Sequence, residues 1–396
     1  MGACFAHPAV AATGKCDACG TPICMRCTKG TLDGFMCPPC AHKRYGRAKL
    51  ITGLKVAGIA AVVIGLAIAG LVLVGHGNRT TPPPKQIERD RDPVIAALLT
   101  ERDQAPCDKR LIRKLVDELG RADRYGDVVD QASGFFAKCG PFPRLEWSVV
   151  YALQQLGRYA EAVKHETVII EDDPFDGDYW WWRGEDRGRS NQPELALADY
   201  RQSFANSDSA AGGKFAAARV LDVAGPASRP CDGVWALRYF RDHLGGDVSD
   251  DVARRVDGIR QASQCDGQAG RGALTVAPSA ADASLRVEVT VGGATGSFVV
   301  DPRCGTTALA SAFAAKAQVA GRGPTIQTVA ANVLRTGAAA TAPVTAGGAS
   351  APAVELVIVD GLPAGTDGVL GLSFLWLFPV IALEDGVAVT DQPPAP

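Results

Sequence analysis

The sequence predicts a multidomain membrane protein: a small metal-binding head, one transmembrane helix, an all-α helical-repeat segment and an all-β domain. Three observations carry this. Seven of the twelve cysteines fall before residue 41, most of them in pairs with two residues between. An unbroken apolar run occupies Val56 to Val74. After Gln268 the apolar spacing changes from three and four residues to strict alternation. A chain of 396 residues has room for two to four domains, and 47% hydrophobic with 21% charged residues is ordinary for globular protein. The net charge of −2 hides an asymmetry, since residues 1–55 carry eight Lys/Arg against two Asp/Glu.

The apolar run comes first in the argument because it assigns the sides. VAGIAAVVIGLAIAGLVLV is nineteen residues without a charge. At 1.5 Å per residue it makes a helix of about 28 Å, close to the hydrocarbon thickness of a bilayer. It is too long and starts too late for a cleaved signal peptide. Lys43, Arg44, Arg47, Lys49 and Lys55 precede it, and only Arg79 and Lys85 follow closely. The positive-inside rule then puts the N-terminus in the cytoplasm and the rest in the periplasm or outside the cell. Ala57, Ala61, Gly65 and Ala69 form a small-residue stripe that suits pairing of two such helices, although an Ala/Gly-rich helix shows such stripes by composition alone.

The head, residues 1–45, offers Cys4-x2-His7, Cys16-x2-Cys19, Cys24-x2-Cys27 and Cys37-x2-Cys40. Eight soft or borderline ligands fill two closed tetrahedral Zn²⁺ sites, and so short a segment needs metal to fold. A reducing cytoplasm disfavours the alternative of a disulfide knot. With no open coordination position, the two Zn²⁺ are expected to be structural. CFAHP followed by CDACGTPICMRC resembles the B-box type zinc fingers of bacterial membrane proteins. The resemblance implies interleaved ligation, Cys4/His7/Cys24/Cys27 at one ion and Cys16/Cys19/Cys37/Cys40 at the other, in a bacterial inner-membrane protein. The spacing itself also accommodates sequential pairing, with His42 as a substitute ligand. Such a head docks a partner protein. A nucleic-acid partner is not expected, because membrane orientation already accounts for the basic cluster.

Residues 75–92 contain Pro82-Pro83-Pro84 and read as a semi-rigid spacer. From 93 to 265 the pattern is helical, and a repeat of 34 residues emerges. Trp147 and Ala162 align with Trp181 and Ala196, and Tyr125 with Tyr159. The pattern resembles tetratricopeptide repeats over roughly residues 115–210, which implies a solenoid that binds a peptide or protein. Its aromatics are assigned mostly to packing. Proximity in sequence suggests the disulfides Cys107–Cys139 and Cys231–Cys265.

Residues 273–391 form the β domain. Leu285 to Val291 alternates as a strand, Gly292-Gly293 reads as a hairpin turn, and Phe298-Val299-Val300 runs into Asp301. A helix-like stretch, Leu309 to Val319, precedes a flap-like TIQT at Thr325–Thr328 and then DGVLGLSFL from Asp367 to Leu375. This order resembles the retropepsin-like aspartic proteases. The resemblance implies a small β-barrel-like domain that dimerises, each subunit donating one Asp, here Asp301. The chemistry requires two carboxylates close enough to share a proton.

The loop departs from the family's pattern of Asp, Thr or Ser, Gly, then usually Ala: here it reads Asp301-Pro302-Arg303-Cys304-Gly305. Pro302 lacks an N–H and the hydroxyl that would brace two loops. Arg303 stands where Gly lets a backbone amide reach the carboxylate, and its guanidinium opposes proton sharing. Gly305 is a candidate for restoring the turn one or two positions late. Cys304 has no histidine after His243 to activate it. The expectation is a membrane-anchored interaction scaffold with an inactive protease-like domain. The alternative is a membrane-tethered homodimeric aspartic endopeptidase with Asp301 as its catalyst.

Overall fold

The 34-residue period sets the geometry of the helical half. In the computed structural model, which describes residues 14–15, 21–23, 29–31, 34–36, 92–207, 210–278, 284–382 and 386–391, helices start at the same interval. Helices α2 (Lys109–Arg121), α4 (Pro143–Gln155) and α6 (Gly177–Arg189) open three successive hairpins. Helices α3 (Tyr125–Cys139), α5 (Tyr159–Asp172) and α7 (Pro193–Ala205) close them. The turn inside each hairpin needs one left-handed residue, and Asp123, Gly157 and Asn191 supply it with φ of 55°, 70° and 60°. The next amide then reaches back over the helix end: Arg124 to Leu119, Arg158 to Leu153 and Gln192 to Arg187, at 2.9, 2.8 and 2.9 Å. Asp108 caps α2 by accepting from the amides of Arg110 and Leu111.

Helix α1 (Pro93–Gln104) precedes the repeats; α8 (Ala210–Ala224), α9 (Pro230–Asp242) and α10 (Asp250–Ala262) follow them, ending in a 3-10 turn at Cys265–Gly267. Small residues allow the close packing. A Cβ on Gly184 would lie 2.7 Å from the Tyr200 ring, so α6 and α7 meet with that ring against bare backbone. Ala152, Ala162 and Ala196 are buried likewise.

The disulfides Cys107–Cys139 and Cys231–Cys265 are both formed, as proximity suggested. The second closes 34 residues of chain across α9 and α10. Replacing both Cys231 and Cys265 with Ser is expected to cost about 2–4 kcal/mol of stability through the greater freedom of the unfolded chain. Urea unfolding with and without reductant checks this, since reductant should leave the double variant unchanged by this route.

In the β domain, β6 (Arg286–Val291) and β7 (Ala294–Val300) form the expected hairpin, with Gly292 and Gly293 at φ 57° and 85°. Strand β8 (Thr307–Ala310), helix α11 (Ser311–Lys316), β9 (Thr325–Ala330), β10 (Val333–Ala346), β11 (Ala349–Val359), β12 (Gly368–Leu370) and helix α12 (Leu372–Leu375) follow. The sheet order is β11-β8-β12-β7-β6-β10-β9, and β10 pairs with β11 as well, which curls the sheet back on itself. β12 lies parallel to β7 and antiparallel to β8. A second sheet, β13-β14-β5, joins β5 (Ala273–Val276) to β13 (Val380–Ala382) and β14 (Val387–Thr390).

One hydrophobic core runs through both halves. Tyr200, Phe204, Trp235 and Phe240 of the helices belong to the same buried cluster as Phe298, Leu370, Phe374 and Trp376 of the β domain.

The chain divides into units at residues 1–100 and 101–396. In the first, two short antiparallel hairpins are described, β1 (Gly14–Lys15) with β2 (Pro22–Ile23), and β3 (Lys29–Thr31) with β4 (Gly34–Met36). The zinc ligands Cys4, His7, Cys16, Cys19, Cys24, Cys27, Cys37 and Cys40, the segment 56–74 and residues 75–91 of the spacer lie outside the described residues. Among the described residues no helix is long and apolar enough to cross a membrane.

Candidate functional site

The loop that follows β7 is held from three sides. Its first residue stays in the sheet, as the Asp301 amide donates to Leu370 of the parallel strand β12 at 3.1 Å. The Cys304 amide then closes a tight turn by donating to the Asp301 carbonyl at 3.0 Å. The chain after β12 supports the turn from below. The amides of Leu372 and Ser373 donate to the carbonyls of Cys304 and Gly305 at 2.7 and 3.1 Å. The Ser373 hydroxyl accepts from the Thr307 amide and donates to the Glu355 carbonyl. Gly371 is required here, because a Cβ on it would stand 2.3 Å from the Cys304 carbonyl oxygen.

Asp301 is 9% exposed, and its carboxylate is already engaged. Oδ1 accepts from the Arg303 amide at 3.0 Å and from Arg303 Nε at 3.3 Å. This corrects one expectation, since a side chain at 303 does not keep the amide from the carboxylate. The backbone there is outside the left-handed region, so glycine is not needed for the reach. The other arm of the guanidinium, Nη2, donates to Asn332 Oδ1 at 2.7 Å. Asn332 is at the tip of the β9–β10 hairpin, where Ala331 and Asn332 make the turn at φ 53° and 60°. Arg303 therefore links the carboxylate to the tip of the β9–β10 hairpin, the segment that the sequence reads as flap-like.

The third side is helix α7, which the sequence reading did not connect with this loop. The Gln202 side chain inserts between loop and flap. Its Oε1 accepts from the Gly305 amide at 3.0 Å, the Val329 amide at 2.9 Å and the Thr328 hydroxyl at 2.8 Å. Its Nε2 donates to the Arg303 carbonyl at 2.8 Å. Gly305 does not restore the turn, which is complete at Cys304; it lets α7 approach. A Cβ there would lie 2.7 Å from Gln202 Cα.

Around this contact the helices and the β domain are tied by buried charges. Arg201 pairs with Asp232 at 3.0 Å and with Glu355 at 2.6 Å, and also donates to the Thr306 hydroxyl. Arg229 reaches the same Glu355 at 2.7 Å. Burial works against the charge on Glu355, but the two guanidinium groups outweigh it and hold its pKa below the usual value. Arg183 is fully buried, bidentate on Asp199 and hydrogen-bonded to Gln327 of the flap strand. Deeper in the repeats, burial pushes Glu166 well above the carboxylate range and Asp186 up to about 6.

Cys304 is buried against Ala198 of α7 and Val369 of β12. Burial, reinforced by the charge of Asp301, pushes its thiol far above its ordinary pKa, which disfavours the thiolate form. Of the predicted site residues, only Asp301 can be placed. Among the described residues no group of three or more His, Cys, Asp or Glu could hold a metal ion. Sequence reading missed the partners Gln202, Arg201, Arg183 and Glu355. Every residue of α7 from Ala196 to Ala205 is buried, so its polar residues face protein, and nothing in the sequence marks this.

Residues 287–374 match the sequence model of a family described as aspartyl protease. No curated protein matches the chain. Among solved structures, the crystal structure of a retropepsin-like aspartic protease from Rickettsia conorii is 18% identical, covering 30% of this chain and 88% of that one, with a TM-score of 0.23. The chain thus joins helical repeats to a C-terminal domain that is similar to the aspartyl proteases over residues 287–374, a stretch that includes Asp301.

Proposed function

We propose that this chain is a membrane-anchored protein-interaction scaffold whose retropepsin-like domain has lost catalysis. One observation carries the reading: the Asp301 carboxylate is bound by Arg303, which is tied to the flap tip, while Gln202 fills the other side of the same loop. A dyad needs a free carboxylate facing a second one. Here the acid is paired with a base that is itself tied to the tip of the β9–β10 hairpin. Tetratricopeptide-type repeats outside the cytoplasm would bind a protein or extended peptide, and the disulfides Cys107–Cys139 and Cys231–Cys265 suit an oxidising compartment. The head would hold two structural Zn²⁺ in the cytoplasm through the eight ligands from Cys4 to Cys40, and the run 56–74 would cross the inner membrane of a bacterium.

A second reading, a homodimeric endopeptidase, draws on the 3.0 Å bond from the Arg303 amide to Asp301, since an active loop also needs an amide on its carboxylate. The two separate on cleavage of a denatured protein at mildly acidic pH. We expect the full chain and its Asp301→Ala variant to behave alike, with no effect of pepstatin. Cleavage that disappears with Asp301→Ala would establish the endopeptidase instead.

A further inference from the structure

We infer that Glu166 of α5 and Asp186 of α6 share one proton, and that this proton latches the third hairpin against strand β9. Raising the pH removes the proton and loosens the joint.

Glu166 and Asp186 are both fully buried, and their carboxyls lie within hydrogen-bonding reach of each other. Gln154 Nε2 of α4 donates to Asp186 Oδ2 at 2.9 Å. Asp186 Oδ1 and both oxygens of Glu166 have no donor among the described residues. The two nearby guanidinium groups are committed elsewhere. Arg183 serves Asp199, Thr167 and Gln327, while Arg187 Nη1 serves Asp199 and the Leu195 carbonyl. Arg187 Nε is buried too and reaches no acceptor. Three buried carboxylate oxygens without a donor would be costly. One proton removes most of that cost, since it makes Glu166 a neutral acid whose O–H donates to Asp186 Oδ1. The bond from Gln154 favours the ionised form of Asp186, which leaves Glu166 as the holder.

The surrounding charges call for the same proton. Arg183 and Arg187 of α6 and Asp199 of α7 face Glu166, while Arg189 and Glu185 of α6 flank Asp186. Helix α4 presents the neutral Gln154, and its Glu146 is paired with His165 of α5. Two guanidinium groups thus meet three carboxyls, Glu185 and Arg189 offset each other, and one proton makes the cluster neutral. Burial raises both acids, Asp186 to about 6 and Glu166 well above the carboxylate range. Acids raised by folding stabilise the folded chain below their ordinary values, and that contribution is lost as pH rises through the raised ones. The joint is therefore tight at mildly acidic pH and loosens from about pH 6 upward.

Helix α6 passes the change to β9. Its Trp180 packs against Ile170 of α5 and Val329 of β9, and Arg183 bridges Thr167 of α5 and Gln327 of β9. Two carboxylates in contact push α5 and α6 apart across the groups that hold the strand.

Hydrogen exchange of the full chain across pH 5–9, corrected for the intrinsic pH dependence of exchange, reads the joint over 159–189 and 325–330. We expect protection there to fall about tenfold per pH unit between roughly pH 6 and 8, as the loss of one proton on opening requires. Glu166→Gln sets a permanent amide donor against Asp186 and should keep the acidic-pH protection throughout. Asp186→Asn removes the second charge, should do the same, and serves if the first variant fails to fold. Infrared spectra of the parent should show a protonated carboxyl at pH 7 that disappears together with the protection as pH rises. The proposal is overturned if protection over these segments does not fall with pH, if it falls equally in the variants, or if no protonated carboxyl is present at pH 7.

Discussion

Arg201→Ala is expected to destabilise the unit of repeats and β domain by about 3–5 kcal/mol, the usual cost of removing one partner from a buried ion cluster. The guanidinium has no exposed surface and serves Asp232, Glu355 and Thr306 together, with the Trp376 ring 4.9 Å below it. Its loss leaves Glu355 with Arg229 alone and takes one of two bases from Asp232. Arg201→Met, which restores volume without charge, should recover only a small part, separating charge pairing from packing. The pH dependence follows from the same group. Glu355 has a depressed pKa in the folded chain, so its contribution is complete above the ordinary carboxylate range and is lost as pH falls through the depressed value. Without Arg201 that depression shrinks, and the acid side of the stability curve should move to higher pH. Urea unfolding of parent and variants across pH 3–8 checks both points; a loss below about 1 kcal/mol would mean that water solvates the cluster.

Trp180→Ala should cost a comparable amount, about 3–5 kcal/mol, for a fully buried indole with a partner on every side. Its Nε1 donates to the Pro174 carbonyl at 2.8 Å, the Arg183 guanidinium lies 4.9 Å from its ring, and it packs with Ile170 and with Val329 of the flap strand. The cavity would open between repeats and flap, so amide exchange over 325–330 should quicken together with the fall in urea midpoint. Trp182→Ala is the control. That indole is 39% exposed, and its replacement should change stability by no more than about 0.5 kcal/mol. Equal effects of the two would mean that Trp180 does not bridge the flap.

Local features were legible because they rest on local physics. The 34-residue period showed itself in Trp147, Tyr159 and Trp181, since each hairpin must repeat its turn and its close contacts. The Gly292-Gly293 turn followed from the demand for two left-handed residues. Even so, the indole that fills the core is Trp180, one position before the residue the alignment marks. Trp147 and Trp181 hold equivalent positions on their helices and are only half-buried. The docking of repeats onto the β domain was not legible. Gln202 meets Gly305 and Thr328 more than a hundred residues away, and Arg183 meets Gln327 at a separation of 144. A lone Gln or Arg in a helix reads as solvent-facing unless its neighbours are seen to be buried. The departure of Pro302 and Arg303 from the family's pattern is legible in the sequence, but the use of Arg303 depends on Asn332, which no spacing rule connects to it.

The buried cluster that runs from Tyr200 and Phe204 through to Phe298 and Phe374 bears on inheritance. A protease-type module joined to a solenoid would ordinarily be portable, free to be swapped or lost at the seam. Here the seam in the sequence is not a fracture line in the folded chain: excision near residue 270 would strip apolar surface from both pieces and leave each prone to aggregate.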